Sequence, residues 1–157
     1  MEDTYLFNPF ITKGTDEEIA TAYRSLQNAL LDECDAPREY AHNIEVYANM
    51  NYLVGEMIAR YTYKYTTLKT EIKIKESKSL YEERTNWSKL HKEKAPAVSY
   101  FEAIATASVK DSLDELAKME CNLRRFKNAY ESIQDKSNAL KKQMEAIKYE
   151  MWLYIRF

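Results

Sequence analysis

Apolar positions along this chain recur at the helical period and do not alternate. Ile19, Tyr23, Leu26, Ala29 and Leu30 fall on one face, which predicts an amphipathic helix over about 16–32. Thr15 stands before it with Glu18 three residues on, the pair that forms a capping box. Asp35 and Pro37 restart the helix: an acidic cap, then a proline in the first turn, where its missing N–H is harmless. From there Ile44, Tyr47, Asn51, Val54, Ile58, Tyr61, Tyr65, Leu68 and Ile72 alternate in steps of three and four, a coiled-coil seam with one polar member. The stripe weakens through Leu80, Trp87 and Leu90, and Lys94-Ala95-Pro96-Ala97 breaks it. A third run starts near Ser99. Its seam is Leu116, Met119, Leu123, Phe126, Tyr130, Ile133, Ser137, Leu140, Met144, Ile147, Met151 and Tyr154.

The two long runs each hold roughly 55 residues, or ~80 Å of helix. A break of a few residues makes neighbouring helices antiparallel. Centring the turn on Ala95-Pro96 pairs Ile72 with Met119, Tyr65 with Phe126, Tyr61 with Tyr130, Ile58 with Ile133 and Ile44 with Ile147. It also pairs Trp87 with Ile104 and Leu90 with Phe101. Asn51 then falls opposite Leu140 and Val54 opposite Ser137, with Gly55 adjacent. That weak spot reads either as a hinge or register-fixing polar layer, or as a tolerated gap. The expected fold is all-α: a long antiparallel two-helix coiled-coil hairpin plus a short N-terminal helix. Residues 1–36 form an N-terminal segment and short helix packing at the hairpin base. Residues 37–157 form the hairpin, turning near 94–97.

Composition narrows the choice. Two glycines and three prolines cannot supply the corners of a β protein or a loop-rich α/β enzyme. Cys34 and Cys121 cannot make a disulfide framework. The N-terminus lacks the basic flank and apolar run of a signal peptide, although Leu6, Phe7, Pro9, Phe10 and Ile11 are too apolar for a free tail. No stretch approaches the ~20 apolar residues of a membrane span. These features predict a cytoplasmic protein with no membrane association.

Catalytic chemistry has little to work with. Gly14 and Gly55 stand alone, so no phosphate loop exists. His42 and His91 lie near opposite ends of one predicted helix. Glu39 and His42 make a single Glu-x-x-His pair, where a di-iron bundle needs two pairs and two further glutamates. Cys34 and Cys121 lie too far apart for a zinc cluster. Asp111, Asp114 and Glu115 fit a solvated helix start. The expectation is no enzyme, no metal and no cofactor.

Charge adds a second feature. Residues 1–56 carry eleven acids and three bases, and residues 57–94 carry ten bases and five acids, inside a chain of net charge −2. Cations for phosphates interleaved with flat rings for bases suit single-stranded nucleic acid. The candidate nucleic-acid-binding residues are Arg60, Tyr63, Lys64, Lys69, Lys73, Lys78, Tyr81 and Arg84. Lysines on the outer positions of a long helix also simply solvate it, and Tyr61 and Tyr65 belong to the seam. Val46, Met50, Leu53 and Met57 form a further apolar stripe, to be covered by the first helix or by another subunit. The end of the chain, with Trp152, Leu153, Ile155 and Phe157, is apolar nearly all round. Both groups are candidate partner- or oligomer-binding residues, and they predict a homo-oligomer.

Glu39-Tyr40-Ala41-His42-Asn43-Ile44 running into Tyr47 resembles the single-strand-loading recombination mediators of T-even-type phages. So do Ala129, Glu131, Ile133, Lys136, Ala139 and Lys141, and Lys78 and Arg84 followed by Trp87 ahead of the break. The likeness covers about half the chain. That family's glycine-containing break is replaced here by Lys94–Ala97. The resemblance implies a helical, oligomeric phage accessory protein, working in the host cytoplasm, that binds single-stranded DNA and assists recombinase loading. The competing expectation is a coiled-coil protein-interaction module, either structural or a phage-borne inhibitor that docks a host protein.

Overall fold

The computed structural model describes residues 14–91 and 94–156, with side chains given as far as Tyr154. The described residues are all-α: α1 (Asp16–Asn28), α2 (Pro37–Leu90), α3 (Val98–Ser108) and α4 (Lys110–Arg156), with no strand among them. These helices of 13, 54, 11 and 47 residues take up more than three-quarters of the chain. The apolar residues Leu6, Phe7, Phe10 and Ile11 lie outside the described residues.

The helix starts follow local chemistry. Thr15 Oγ1 accepts the Glu18 N–H at 3.2 Å and Glu18 Oε2 accepts the Thr15 N–H at 2.6 Å, the reciprocal box expected from their spacing. Pro37 opens α2. The cap there comes from Glu39 and not from Asp35: Glu39 Oε2 accepts the N–H groups of Asp35 at 2.8 Å and Ala36 at 3.0 Å. Those bonds, Ala36's first and then Asp35's, hold the Glu39 carboxyl below its ordinary range.

α1 stops at Asn28, short of residue 32, because the following linker is tied to α2. Buried Asn43 accepts the Leu31 N–H with Oδ1 at 2.9 Å and donates from Nδ2 to Leu31 O at 2.9 Å and to Cys34 Sγ at 3.1 Å. His42 Nε2 lies 2.9 Å from Ala29 O. Loss of solvation, followed by the nearby Glu39 and Asp35 carboxylates, pushes the Cys34 thiol up.

The chain divides into two compact units, one of residues up to Ala59 together with Arg124 onward, the other Arg60–Leu123. In the first, Val46, Met50, Val54 and Ile133 form a buried cluster. Tyr23, Leu26 and Leu30 from the α1 region pack on it, with Tyr47, Ile58, Phe126 and Ala129. Burial, then the neighbouring Tyr47, pushes the Tyr23 phenol up. Val46, Met50 and Leu53 of the expected stripe are therefore covered from within the chain, Leu53 being only 2% exposed, while Met57 is half-buried and lines a groove with Ile19, Tyr23 and Leu53. Each side chain taken from water contributes about 1.5–3 kcal/mol, which is why α1 folds over α2.

Contacts in this unit differ from the expected register. A Cβ on Gly55 would stand 3.7 Å from Tyr130 Cε2, where Tyr61 was expected to face Tyr130. Asn51 and Ser137 line one groove, where Asn51 was expected to face Leu140. Tyr130 thus stands six residues along α2 from its expected partner and Ser137 shares a groove with a residue three from its own, while Ile58 packs on the cluster that holds Ile133, as expected.

The second unit is built around the break. α2 ends at Leu90, where the His91 N–H closes on Trp87 O at 2.9 Å, so the break begins before Lys94 and its midpoint moves back. Trp87, not Leu90, meets Phe101 edge-on at 6.2 Å and Tyr100 at 6.4 Å, and it stacks on His91 at 4.0 Å. Leu90 is 77% exposed. Phe101, Ala105 and Val109 are buried, as are Ile72 and Leu123. The third run is not one helix: Val109, at φ −114° and ψ 12°, separates α3 from α4. Ser108 Oγ bonds back to Ala105 O at 2.6 Å and the Val109 N–H turns to Thr106 O at 3.2 Å. The hydroxyl competes for a helix carbonyl beside a buried β-branched residue at the point where the ladder is interrupted.

Candidate nucleic-acid interface

The basic stretch lies on α2 within the second unit. Its seam positions Tyr61, Tyr65 and Leu68 are half-buried and Ile72 is buried, one side of the helix at period 3.6; Arg60, Glu76, Ser79, Leu80 and Glu83 are half-buried as well. Tyr63 and Tyr81 are 74% and 72% exposed. They are separated by five whole turns, about 27 Å, so they lie on one line of the helix surface. Ile74, also exposed, lies between them. A single helix turn brings residues three and four apart into contact range. Tyr81 is therefore flanked by Lys78 and Arg84, and Tyr63 by Arg60. A shallow groove of about 440 Å³ runs along the same face past Ser77, Tyr81, Arg84 and Ser88.

The eight candidates do not form one continuous basic stripe. Lys64 Nζ stands over the Tyr61 ring at 5.0 Å, and Lys69 Nζ over the Tyr65 ring at 5.6 Å. Both ammonium groups thus lean toward seam tyrosines and away from the Tyr63–Tyr81 line. Lys78 Nζ lies 3.8 Å from Glu82 Oε1, an exposed i,i+4 pair that solvent screens heavily. Lys73 and Arg84 are exposed. The arrangement offers two aromatic platforms with cations beside them, which is the chemistry of sequence-tolerant contact to single strands.

The C-terminal candidates form a different surface. Trp152 and Leu153 are exposed, with Tyr149, Met151 and Tyr154, and the Tyr149 and Trp152 rings stack at 6.4 Å. The seam of α4 stays covered through Met144 and Ile147 and is lost beyond them, with Tyr154 86% exposed. The Ile155 side chain and Phe157 lie outside the described residues.

Asn51, Gly55 and Ser137, the weak spot expected in the seam, line a groove of about 550 Å³ in the first unit. Among the described residues no group of three His, Cys, Asp or Glu side chains is placed to hold a metal ion, and no helix is long and apolar enough to cross a membrane. No family model, curated protein or solved structure matches this chain.

Proposed function

We propose that this chain is a non-enzymatic, self-associating helical accessory protein that binds single-stranded DNA along the outer face of residues 60–84 and assists recombinase loading. In this reading α2 and α4 pair antiparallel, consistent with the meeting of Gly55 and Tyr130 and with the groove shared by Asn51 and Ser137. The observation that carries it is the Tyr63–Tyr81 line. Two large aromatic side chains are left in water on one face, five turns apart, with Arg60, Lys78 and Arg84 one turn from them. The test is fluorescence anisotropy with a labelled single-stranded oligonucleotide at low and moderate salt. Log affinity should fall linearly with log salt, by about 0.7 per phosphate neutralised. Tyr81→Ala should weaken binding by about 1–3 kcal/mol with little change in that slope. No binding at low salt would overturn the proposal.

A second reading is favoured by the exposed end of α4. Tyr149, Met151, Trp152, Leu153 and Tyr154 put a run of large apolar side chains into solvent, and buried aromatic anchors carry most interface energy. A protein partner or another copy of this chain would cover them. Deleting residues 152–157 should then abolish association while leaving helicity nearly intact. Global loss of helicity would assign these residues to the protein's own core instead.

A further inference from the structure

α2 carries a second heptad stripe on its outer side. Tyr63, Thr67, Thr70, Ile74, Ser77 and Tyr81 follow one another in alternating steps of four and three, opposite the seam residues Tyr61, Tyr65, Leu68 and Ile72. All six are exposed. Eleven of the residues 60–84 are charged and none of them stands on this stripe, although the face of a helix turned to water is where charges are expected. Lys64 and Lys69 lean over rings on the seam side. The Thr70 hydroxyl is bonded to Thr66 O at 2.9 Å, so this side chain can be covered with no polar atom left unpaired. The stripe also has a ridge and a hollow. Tyr63 projects at one end, and at the other the groove of about 440 Å³ opens beside Tyr81, between Ser77 and Ser88.

We propose that this stripe is an interface with a second copy of this chain, the two α2 helices running antiparallel about a two-fold axis near residue 72. In that register Tyr63 faces Tyr81 of the second copy, Thr67 faces its Ser77 and Thr70 its Ile74, and the two-fold makes each contact twice. Ring meets ring and hydroxyl meets hydroxyl, and the Thr70 methyl group meets an aliphatic side chain. The Tyr63 ring of each copy enters the groove beside Tyr81 of the other. A slip of one heptad sets Ser77 against Arg60 in one direction and Thr67 against Arg84 in the other, which places a guanidinium in the seam where the symmetric register has an uncharged side chain. In the symmetric register these arginines flank the six residues at either end and bound the contact. A single strand and a second copy compete for this face, and the inference stands without the single-strand reading.

The experiment is disulfide trapping between full chains in a Cys34→Ser/Cys121→Ser background. Cys121 is exposed, and serine at 34 keeps an acceptor for Asn43 Nδ2. One chain carries Thr67→Cys and the other Ser77→Cys, both at exposed positions. The two are mixed at ~100 μM, where a dimer of micromolar dissociation constant is nearly complete, and mildly oxidised without nucleic acid. The mixed 67–77 link is expected to dominate. Links of 67 to 67 and of 77 to 77 should be scarce, because ten residues, about 15 Å of helix, separate those positions in the pair. Association through the end of α4 alone gives no such preference. Adding Tyr63→Ala/Tyr81→Ala removes four rings from each pair and should lower the yield of the mixed link at least about tenfold. Moderate salt should leave the yield unchanged, whereas strand binding falls with salt, so the two readings fail separately. Absence of the mixed link, like-with-like links in equal amount, or a yield indifferent to loss of the rings would overturn the proposal.

Discussion

Gly55 stands inside a 54-residue helix, where glycine costs about 0.8–1 kcal/mol relative to alanine through backbone entropy. Its backbone has no positive φ that would require glycine. The only close neighbour of an added Cβ is Tyr130 Cε2 at 3.7 Å, ordinary van der Waals contact, so nothing must move to admit a methyl group. Gly55→Ala should therefore recover most of the propensity term and lose nothing to overpacking, a net stabilisation of about 0.5–1 kcal/mol. In a chain this long that corresponds to a rise of roughly 1–4 °C in melting temperature. Urea unfolding followed by circular dichroism at 222 nm provides the measurement, with m compared between variants to show that the unfolded state is unchanged. Gly55→Leu supplies the contrast: its side chain must displace the Tyr130 ring, at about 1–3 kcal/mol. Destabilisation by alanine of more than about 0.5 kcal/mol would refute the reasoning, because it would mean that α2 and Tyr130 approach more closely than the 3.7 Å contact allows.

Asn43→Ala removes three hydrogen bonds that tie the α1–α2 linker to α2 and should cost about 2–3 kcal/mol; a loss below about 0.5 kcal/mol in the same urea assay would mean that water replaces the clamp. Glu39 has its carboxyl held below the ordinary value of 4.5 by the Ala36 and Asp35 N–H groups. The stabilisation this provides is complete above the unfolded value and is lost as pH falls through the lower folded one. Glu39→Gln should therefore lower the melting temperature at pH 7 and flatten the acid limb below about pH 4.5, so that the two proteins converge in acid; a carboxyl titration by NMR at or above the ordinary value would contradict this.

Local chemistry was legible in the sequence, and long-range chemistry was not. The Thr15–Glu18 box is written in three residues and forms as written. The seams were legible as well, because a step of three or four fixes a face whatever lies opposite. What lies opposite is another matter. Periodicity marked Val46, Met50, Leu53 and Met57 as apolar but could not say that residues of the α1 region would pack on Val46 and Met50. The end of α1 was misplaced because it is set by Asn43, twelve residues away. The single long third run was expected because every residue from 99 to 156 tolerates a helix. The interruption lies at buried Val109, where the Ser108 hydroxyl bonds back to Ala105 O, and no hydrophobic period marks it. The register was legible only in part: Ile58 packs on the cluster that holds Ile133, whereas Tyr130 stands beside Gly55, six residues before its expected partner Tyr61. On the candidate interface, the exposure of Tyr63 and Tyr81 followed from the helical period. The leaning of Lys64 and Lys69 toward their own seam tyrosines did not, since it depends on side-chain rotamers that no spacing rule specifies.

Those rotamers bear on how such a face would hold a single strand. Lys78 lies near a glutamate, and Lys64 and Lys69 are drawn over rings, so a strand that follows the Tyr63–Tyr81 line meets fewer well-placed cations than a net +5 stretch suggests. Neither kind of contact is a strong restraint: an exposed ion pair or cation–π contact contributes on the order of 0.5 kcal/mol, less than a phosphate offers in exchange. The cations can therefore be recruited, each at a small cost, and affinity of one copy should be modest. The two tyrosines set the geometry more firmly, because 27 Å of helix separates them and neighbouring bases on a strand cannot reach both. Stacking at both requires an extended strand of several nucleotides, or one strand passed from copy to copy. Several arms joined in one assembly convert the second and later contacts into intramolecular ones, and modest single-arm affinities then multiply. In that account self-association is part of how the chain binds single strands, and the exposed apolar end of α4 is the surface in the described residues that remains available for it.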